Sequence, residues 1–167
     1  MGEVYEGVTR IPVTAIKLVS STVTQTKTVE KDGYAALQVK LGNSKLRREV
    51  EEVAELSELS VGQLCTLVAT SKGKGYSGGV KRWGFAGGPR THGQSDRLRA
   101  PGSIGQGTTP GRVYKGKHMA GRMGSDTVSL KNVKIIKIDA DSQVIWVTGP
   151  VPGSRQSLVR LNLYQGK

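Results

Sequence analysis

Apolar and polar positions follow a strand-like rhythm over residues 10–71 and again over 125–164, and lose every period in between. Ile11–Val19 (IPVTAIKLV) is predicted as a strand. Val23–Val29 (VTQTKTV) is a second, because its valines and threonines suit a half-buried pleated surface. Lys31-Asp32-Gly33 signals a turn, and Tyr34–Leu41 (YAALQVKL) is the returning strand. Asn43-Ser44 is placed to cap a short helix over Lys45–Glu55, where Leu46, Val50 and Val53 recur at helical spacing. The mixed charges of Arg47–Glu58 would be the solvated face of that helix. Val61–Ala69 (VGQLCTLVA) is another strand. Thr127–Ile138, Gln143–Val147 and Ser157–Leu163 follow, separated by turns at Asp139–Ser142 and Gly149–Gly153. Short strands, tight turns and little helix predict a mainly β protein built as a small antiparallel barrel. At 167 residues the chain is expected to form one domain, with an internal insertion, and to bury a core without disulfide or metal staples.

The middle segment breaks this pattern. Residues 72–122 hold 14 glycines and no amphipathic helix. A structureless loop of that length is rare inside a compact domain. Its composition is not that of an ordinary disordered tail either, because Tyr76, Trp83, Phe85, Ile104, Tyr114, Met119 and Met123 punctuate it. Charge sharpens the contrast. The whole chain carries a net +12, and Lys72–Arg122 holds eleven cations against the single acid Asp96, a net of +10. The remainder has 14 basic and 12 acidic residues. Glycine permits close backbone approach and positive-φ turns, and Arg and Lys neutralise phosphates. The combination predicts a chain threaded through folded RNA, with RNA serving as its missing core.

Other chemistries fit poorly. Gly73–Gly78 matches G-x-G-x-x-G, but the following GGVKRWG is expected not to form the helix a dinucleotide site opens. Gly111–Lys117 approximates a P-loop, yet His118 stands where Ser or Thr would bind Mg²⁺. His92 and His118 have no Ser, Cys or carboxylate beside them to complete a catalytic site, and each is expected to pack or hydrogen-bond against RNA. The only cysteine, Cys65, lies in an apolar strand and reads as a buried, inert thiol. Trp146 reads as barrel core or rim. Trp83, beside Lys81-Arg82, suits stacking on a base or on the edge of the barrel. No zinc spacing, membrane span or N-terminal signal pattern is present in the sequence.

The phrases SKGKGYSGGVKRWGF (71–85), THG (91–93), PGSIGQGTTPGRVYKGKHMAGRMG (101–124) and GPVPG (149–153) closely resemble the universal large-subunit ribosomal protein three family in its bacterial form. The match is dense over residues 61–160 and looser over 10–41. The resemblance implies a translation-protein type β-barrel body, residues 1–71 and 125–167, on the outside of the large subunit. It implies an irregular Gly/Arg/Lys-rich extension, residues 72–124, running inward toward the peptidyl-transferase region, with its tip near Ile104–Gly111. It further implies 23S-type rRNA and neighbouring large-subunit ribosomal proteins as partners, a role in early subunit assembly and a ribosomal, cytoplasmic location. No enzyme activity, cofactor, metal, membrane or small-molecule substrate is implied. Carried onto this chain, the rRNA-binding residues would be Lys72, Lys74, Lys81, Arg82, Trp83, Arg90, His92, Arg97, Arg99, Ser103, Gln106, Thr108, Thr109, Arg112, Lys115, Lys117, His118 and Arg122.

The chain departs from the family pattern in three places. MGEVYEGVTR stands where a Gly-Met-Thr phrase and an acidic turn usually open the first long strand, so the N-terminus reads as shortened or rebuilt. The segment 42–60 also reads as shortened. The position that many bacterial members fill with a methylated Gln before the tip's Thr-Pro is Thr108 here, with Gln106 two residues earlier. Two rival classes remain distinct: a stand-alone RNA-chaperone barrel, which needs exposed aromatics on a barrel face, and an enzyme with a phosphate loop, which would bind nucleotide saturably.

Overall fold

The computed structural model describes residues 2–42, 45–50 and 58–164. In chain order the elements are β1 (Gly2–Glu6), β2 (Thr9–Lys17), β3 (Ser21–Lys27), α1 (Val29–Asp32), β4 (Ala36–Leu41), β5 (Arg47–Val50), β6 (Leu64–Thr70), β7 (Tyr76–Ser77), α2 (Gly79–Trp83), β8 (Gly121–Arg122), β9 (Thr127–Asp139), β10 (Val144–Thr148) and β11 (Val159–Leu163). Two compact units divide them. One comprises Met1–Val68, Ser129–Val151 and Val159–Lys167; the other comprises Ala69–Val128 and Pro152–Leu158.

The β-branched runs form strands as the alternation predicts. They build a six-stranded sheet in the order β1-β2-β10-β9-β6-β11 and a separate three-stranded sheet β3-β4-β5. The expected barrel does not close among the described residues: β1 and β11 stand as free ends of the larger sheet. The protein is mainly β, with open sheets. The N-terminal stretch that departs from the family pattern is β1, which pairs antiparallel with β2 from Gly2 opposite Val13 to Glu6 opposite Thr9. Arg10 holds Glu3 across this hairpin through a 2.5 Å hydrogen bond.

The core of the first unit comes from alternate residues of three strands. Cys65 and Leu67 of β6, Val133 and Ile135 of β9, and Ile145 and Val147 of β10 are buried and form one cluster. Ile16, Leu18, Leu130, Ile138 and Leu161 pack against it. Strict alternation along β9 would not put Leu130, Val133, Ile135 and Ile138 on one face. Two irregularities make it possible. Asn132 adopts φ 59°, which shifts the inward parity between Leu130 and Val133. A register shift then places Val147 opposite Ile135 and Trp146 opposite Lys137, so Ile136 is an extra residue and parity shifts again before Ile138. Cys65 is buried, its thiol donates to the Val133 carbonyl at 3.3 Å, and burial pushes its pKa up. It is an inert core residue. Trp146, half-buried between Ala15 and Lys137, lies at the margin of the core.

The predicted helix over Lys45–Glu55 is corrected for its described part. Arg47–Val50 is the strand β5, with Arg47 opposite Lys40 and Val50 opposite Leu37. Two apolar residues four apart fit a helix, but they also fit an edge strand, and the backbone pairing with β4 decides. Arg47–Val50 is therefore not a helix face, although it is largely exposed. The proposed cap Asn43-Ser44 and residues 51–55 lie outside the described residues. The turn at Lys31–Gly33 is wider than a two-residue hairpin turn: between the end of β3 at Lys27 and the start of β4 at Ala36, Val29–Asp32 makes one helical turn, and Gly33 ends it at φ 80°. Across this small sheet Lys27 Nζ lies 2.7 Å from Glu49 Oε1, and the Tyr34 hydroxyl donates to Glu49 Oε2 at 3.0 Å. The Lys27 hydrogen bond, then that from Tyr34, holds the Glu49 carboxyl below its ordinary pKa.

Candidate nucleic-acid interface

Glycine spacing decides how the second unit begins. Lys72–Ser77 and Gly121–Asp126 run alongside each other as a narrow ribbon. Ser71 N donates to Asp126 O, Lys74 N to Met123 O, and Met123 N to Gly75 O, each at 2.9 Å. Tyr76 stands opposite Arg122 and Ser77 opposite Gly121. The approach is close enough that a side chain at Gly124, φ 79°, would overlap the Lys72 carbonyl.

The ribbon leads into α2. The expectation that GGVKRWG forms no helix is corrected: Gly79–Trp83 is helical, and Gly84 stops it after five residues at φ 73°. Gly78 is the N-cap and Gly84 the left-handed stop, positions glycine suits, so only Gly79 lies within the turn. The dinucleotide reading gains nothing from this turn: β7 lies within the motif, paired antiparallel with β8, and the five-residue α2 is too short to be the crossover helix of a βαβ unit. The P-loop approximation at Gly111–Lys117 has no helix after it; it is an exposed stretch closed by Lys117 N donating to Tyr114 O at 3.4 Å.

Around α2 the segment has a small clasp of its own. The rings of Trp83 and His118 stack with centroids 3.8 Å apart and planes 1° from parallel. The Phe85 ring lies 6.5 Å from His118. Trp83 Nε1 and Arg82 Nη1 both donate to the Met119 carbonyl at 2.8 Å, and the Arg82 guanidinium also lies over the Trp83 ring. Trp83 thus stacks on His118 within the segment, rather than on the edge of the main sheet. Sequence reasoning placed Trp83 and His118 among the RNA contacts but missed their mutual contact. It also missed Phe85, Met119 and Gly121, where an added Cβ would come within 2.6 Å of Arg82 Nη1. Residues 35 apart with no shared period leave no sequence signal of such contact.

Beyond the clasp the chain is nearly all surface. Between residues 72 and 124 only Ser77 is buried. At the tip, Ser103 Oγ donates to Gly105 O at 2.9 Å and Gly111 N to Gly107 O at 3.1 Å; Gln106, Thr108 and Thr109 are exposed there. Lys72, Lys74, Lys81, Arg90, Arg97, Arg99, Arg112, Lys115, Lys117 and Arg122 are exposed, as are His92 and His118; Arg82 is half-buried in the clasp. Among the described residues both ion pairs, Arg10–Glu3 and Lys27–Glu49, lie in the first unit, so none of these cations has a carboxylate partner. Eleven cations against the single acid Asp96 make a concentrated positive field. Among the described residues there is no cluster of three or more metal-ligating side chains, and no helix is long and apolar enough to cross a membrane.

Residues 13–144 match the family model for ribosomal protein L3. The chain is 44% identical to the large ribosomal subunit protein uL3 of Herpetosiphon aurantiacus, over 91% of this chain and 86% of that one. It is 42% identical to uL3 of Dehalococcoides mccartyi, over 89% and 85% of the two chains. It is 41% identical to uL3 of Marinobacter nauticus, over 86% and 84%. With the family model covering most of its length and relatives of this identity aligned nearly end to end, the chain belongs to the ribosomal protein L3 family.

Proposed function

We propose that this protein is a structural constituent of the large ribosomal subunit whose segment 72–124 binds 23S-type rRNA. The family is structural rather than catalytic. Family membership supports the subunit assignment. The observation that carries the RNA assignment is the set of ten exposed, unpaired cations on a segment with one buried residue. Such a segment gains little by packing on itself and much by neutralising phosphates. In this reading its glycines let the backbone approach RNA closely, and selection rests on RNA shape more than on base edges. Binding early in assembly, contact with neighbouring subunit proteins, a buttressing role near the peptidyl-transferase region and a cytoplasmic, ribosomal location belong to the same proposal.

The test is binding of the purified protein to large-subunit rRNA over a salt series. If six of the cations meet phosphates, log affinity falls against log salt with a slope of about −5. Footprints should cluster at a defined rRNA region. Equal affinity for any single-stranded RNA would favour the chaperone reading, and a slope near zero would refute the electrostatic account.

A further inference from the structure

Between Phe85 and Gly102 the second unit folds back on itself and lines an open hollow of about 450 Å³ that none of the contacts described above fills. Two short segments build it. Gly88 N donates to Leu98 O at 3.0 Å, and Gly87 and Gly88 let the two backbones come this close, because an added Cβ at either would collide with the Arg97–Leu98 carbonyls. Gln94 fastens the turn. With its amide assigned from the hydrogen-bond pattern, its oxygen accepts from Arg97 N at 2.8 Å and from Leu98 N at 3.2 Å.

The walls differ in kind. Phe85, Ala100 and Pro101 are apolar, while Gln94 and Arg97 supply donors. The Phe85 ring is fixed by packing on Gly79, where an added Cβ would come within 2.8 Å of it. A second hollow of about 330 Å³ shares Pro89 and Gln94 with the first and adds Arg90. A volume of 450 Å³ lies in the range of small-ligand sites, about 300–1,000 Å³. An aromatic and a proline wall, an amide offering donors and one arginine per hollow match the parts of an unstacked nucleotide: a flat apolar base, an acceptor-rich edge and a phosphate.

We propose that this hollow receives one unpaired, unstacked nucleotide of the RNA that segment 72–124 binds. The proposal rests on the RNA-binding reading above. The base lies against Phe85 and Pro101, the Gln94 amide donates to an acceptor on its edge, and Arg97 and Arg90 meet the phosphates of this nucleotide and the next.

The experiment compares wild type with two variants on large-subunit rRNA. Ala100→Phe fills the hollow without altering charge and keeps the backbone bond from Ala100 N to Arg97 O. Gln94→Ala leaves the apolar walls in place and removes both the donors and the oxygen that accepts from Arg97 N and Leu98 N. Each variant is expected to bind roughly tenfold more weakly, as loss of one base-stacking contact does, with the salt slope unchanged because no phosphate contact is lost. Chemical probing should show the same single unpaired base losing protection in both. Wild-type affinity and probing in both variants would overturn the proposal while leaving the RNA reading intact. Absence of salt-dependent binding by wild type would instead remove that reading. Titration with the four free nucleoside monophosphates separates the sources: no saturation is expected at millimolar concentration, and micromolar saturation would overturn the proposal in favour of a small-molecule site.

Discussion

Replacing His118 by alanine removes the ring on which Trp83 stacks and leaves the rest of the clasp in place. The two rings are 3.8 Å apart and coplanar, and an aromatic pair contributes about 0.5–1.5 kcal/mol beyond its buried area. Trp83 keeps its hydrogen bond to Met119 O, so the expected local loss is about 1 kcal/mol. Trp83→Ala removes the stack and also that hydrogen bond, which adds about 1 kcal/mol, for about 2 kcal/mol in all. Because both variants delete the same stack, the double variant should cost no more than Trp83→Ala alone, giving a coupling of about 1 kcal/mol. Native-state hydrogen exchange reads this directly at the amides of Lys74 and Met123, which pair across the adjacent ribbon. They should exchange roughly 5-fold faster in His118→Ala and about 30-fold faster in Trp83→Ala. The amide of Ile135, bonded to Gln63 O in the first unit, should be unchanged. Unaltered exchange at Lys74 and Met123 in Trp83→Ala would refute the claim that the clasp holds the base of the segment.

Ile135 and Ile145 are fully buried, so alanine at either should destabilise the first unit by about 2–5 kcal/mol in urea unfolding. Lys115→Gln with Lys117→Gln removes two exposed cations and should flatten the salt slope of rRNA binding by about 1.5, measured by filter binding. Glu49 has a lowered pKa in the folded state, so its contribution is present above the ordinary value of 4.5 and fades as pH falls through the folded value. Urea midpoints of wild type and Glu49→Gln should therefore differ at pH 7, converge in acid, and lie closer together in high salt because the pair is exposed.

Much of this architecture is legible from residue pattern, and its failures have physical causes. β2, β3, β4, β6, β9, β10 and β11 announce themselves because branched and apolar residues recur with period two. β1 is quiet: GEVYE opens with glycine and carries two glutamates, and it becomes a strand by pairing with β2. Leu46 and Val50 share a helical and a strand-edge interpretation until β4 supplies the backbone partner. Barrel closure depends on how sheet edges meet, which no local period encodes, and the pairings here end at β1 and β11. In the basic segment ten of the eleven cations that the sequence singled out are exposed, and Arg82 is half-buried in the clasp. Residue type did not identify the Trp83–His118 stack or the turn at α2, because both depend on a ribbon joining residues about fifty apart along the chain.

Limited trypsin digestion with and without large-subunit rRNA tests the central claim most directly. Arg90, Arg97, Arg99 and Arg112 are exposed on a stretch with no buried side chain, so the free protein should be cut there first. Added large-subunit rRNA should suppress cleavage at all four, and an unrelated single-stranded RNA should not. Cleavage at these sites that proceeds at the same rate with and without large-subunit rRNA would contradict the account.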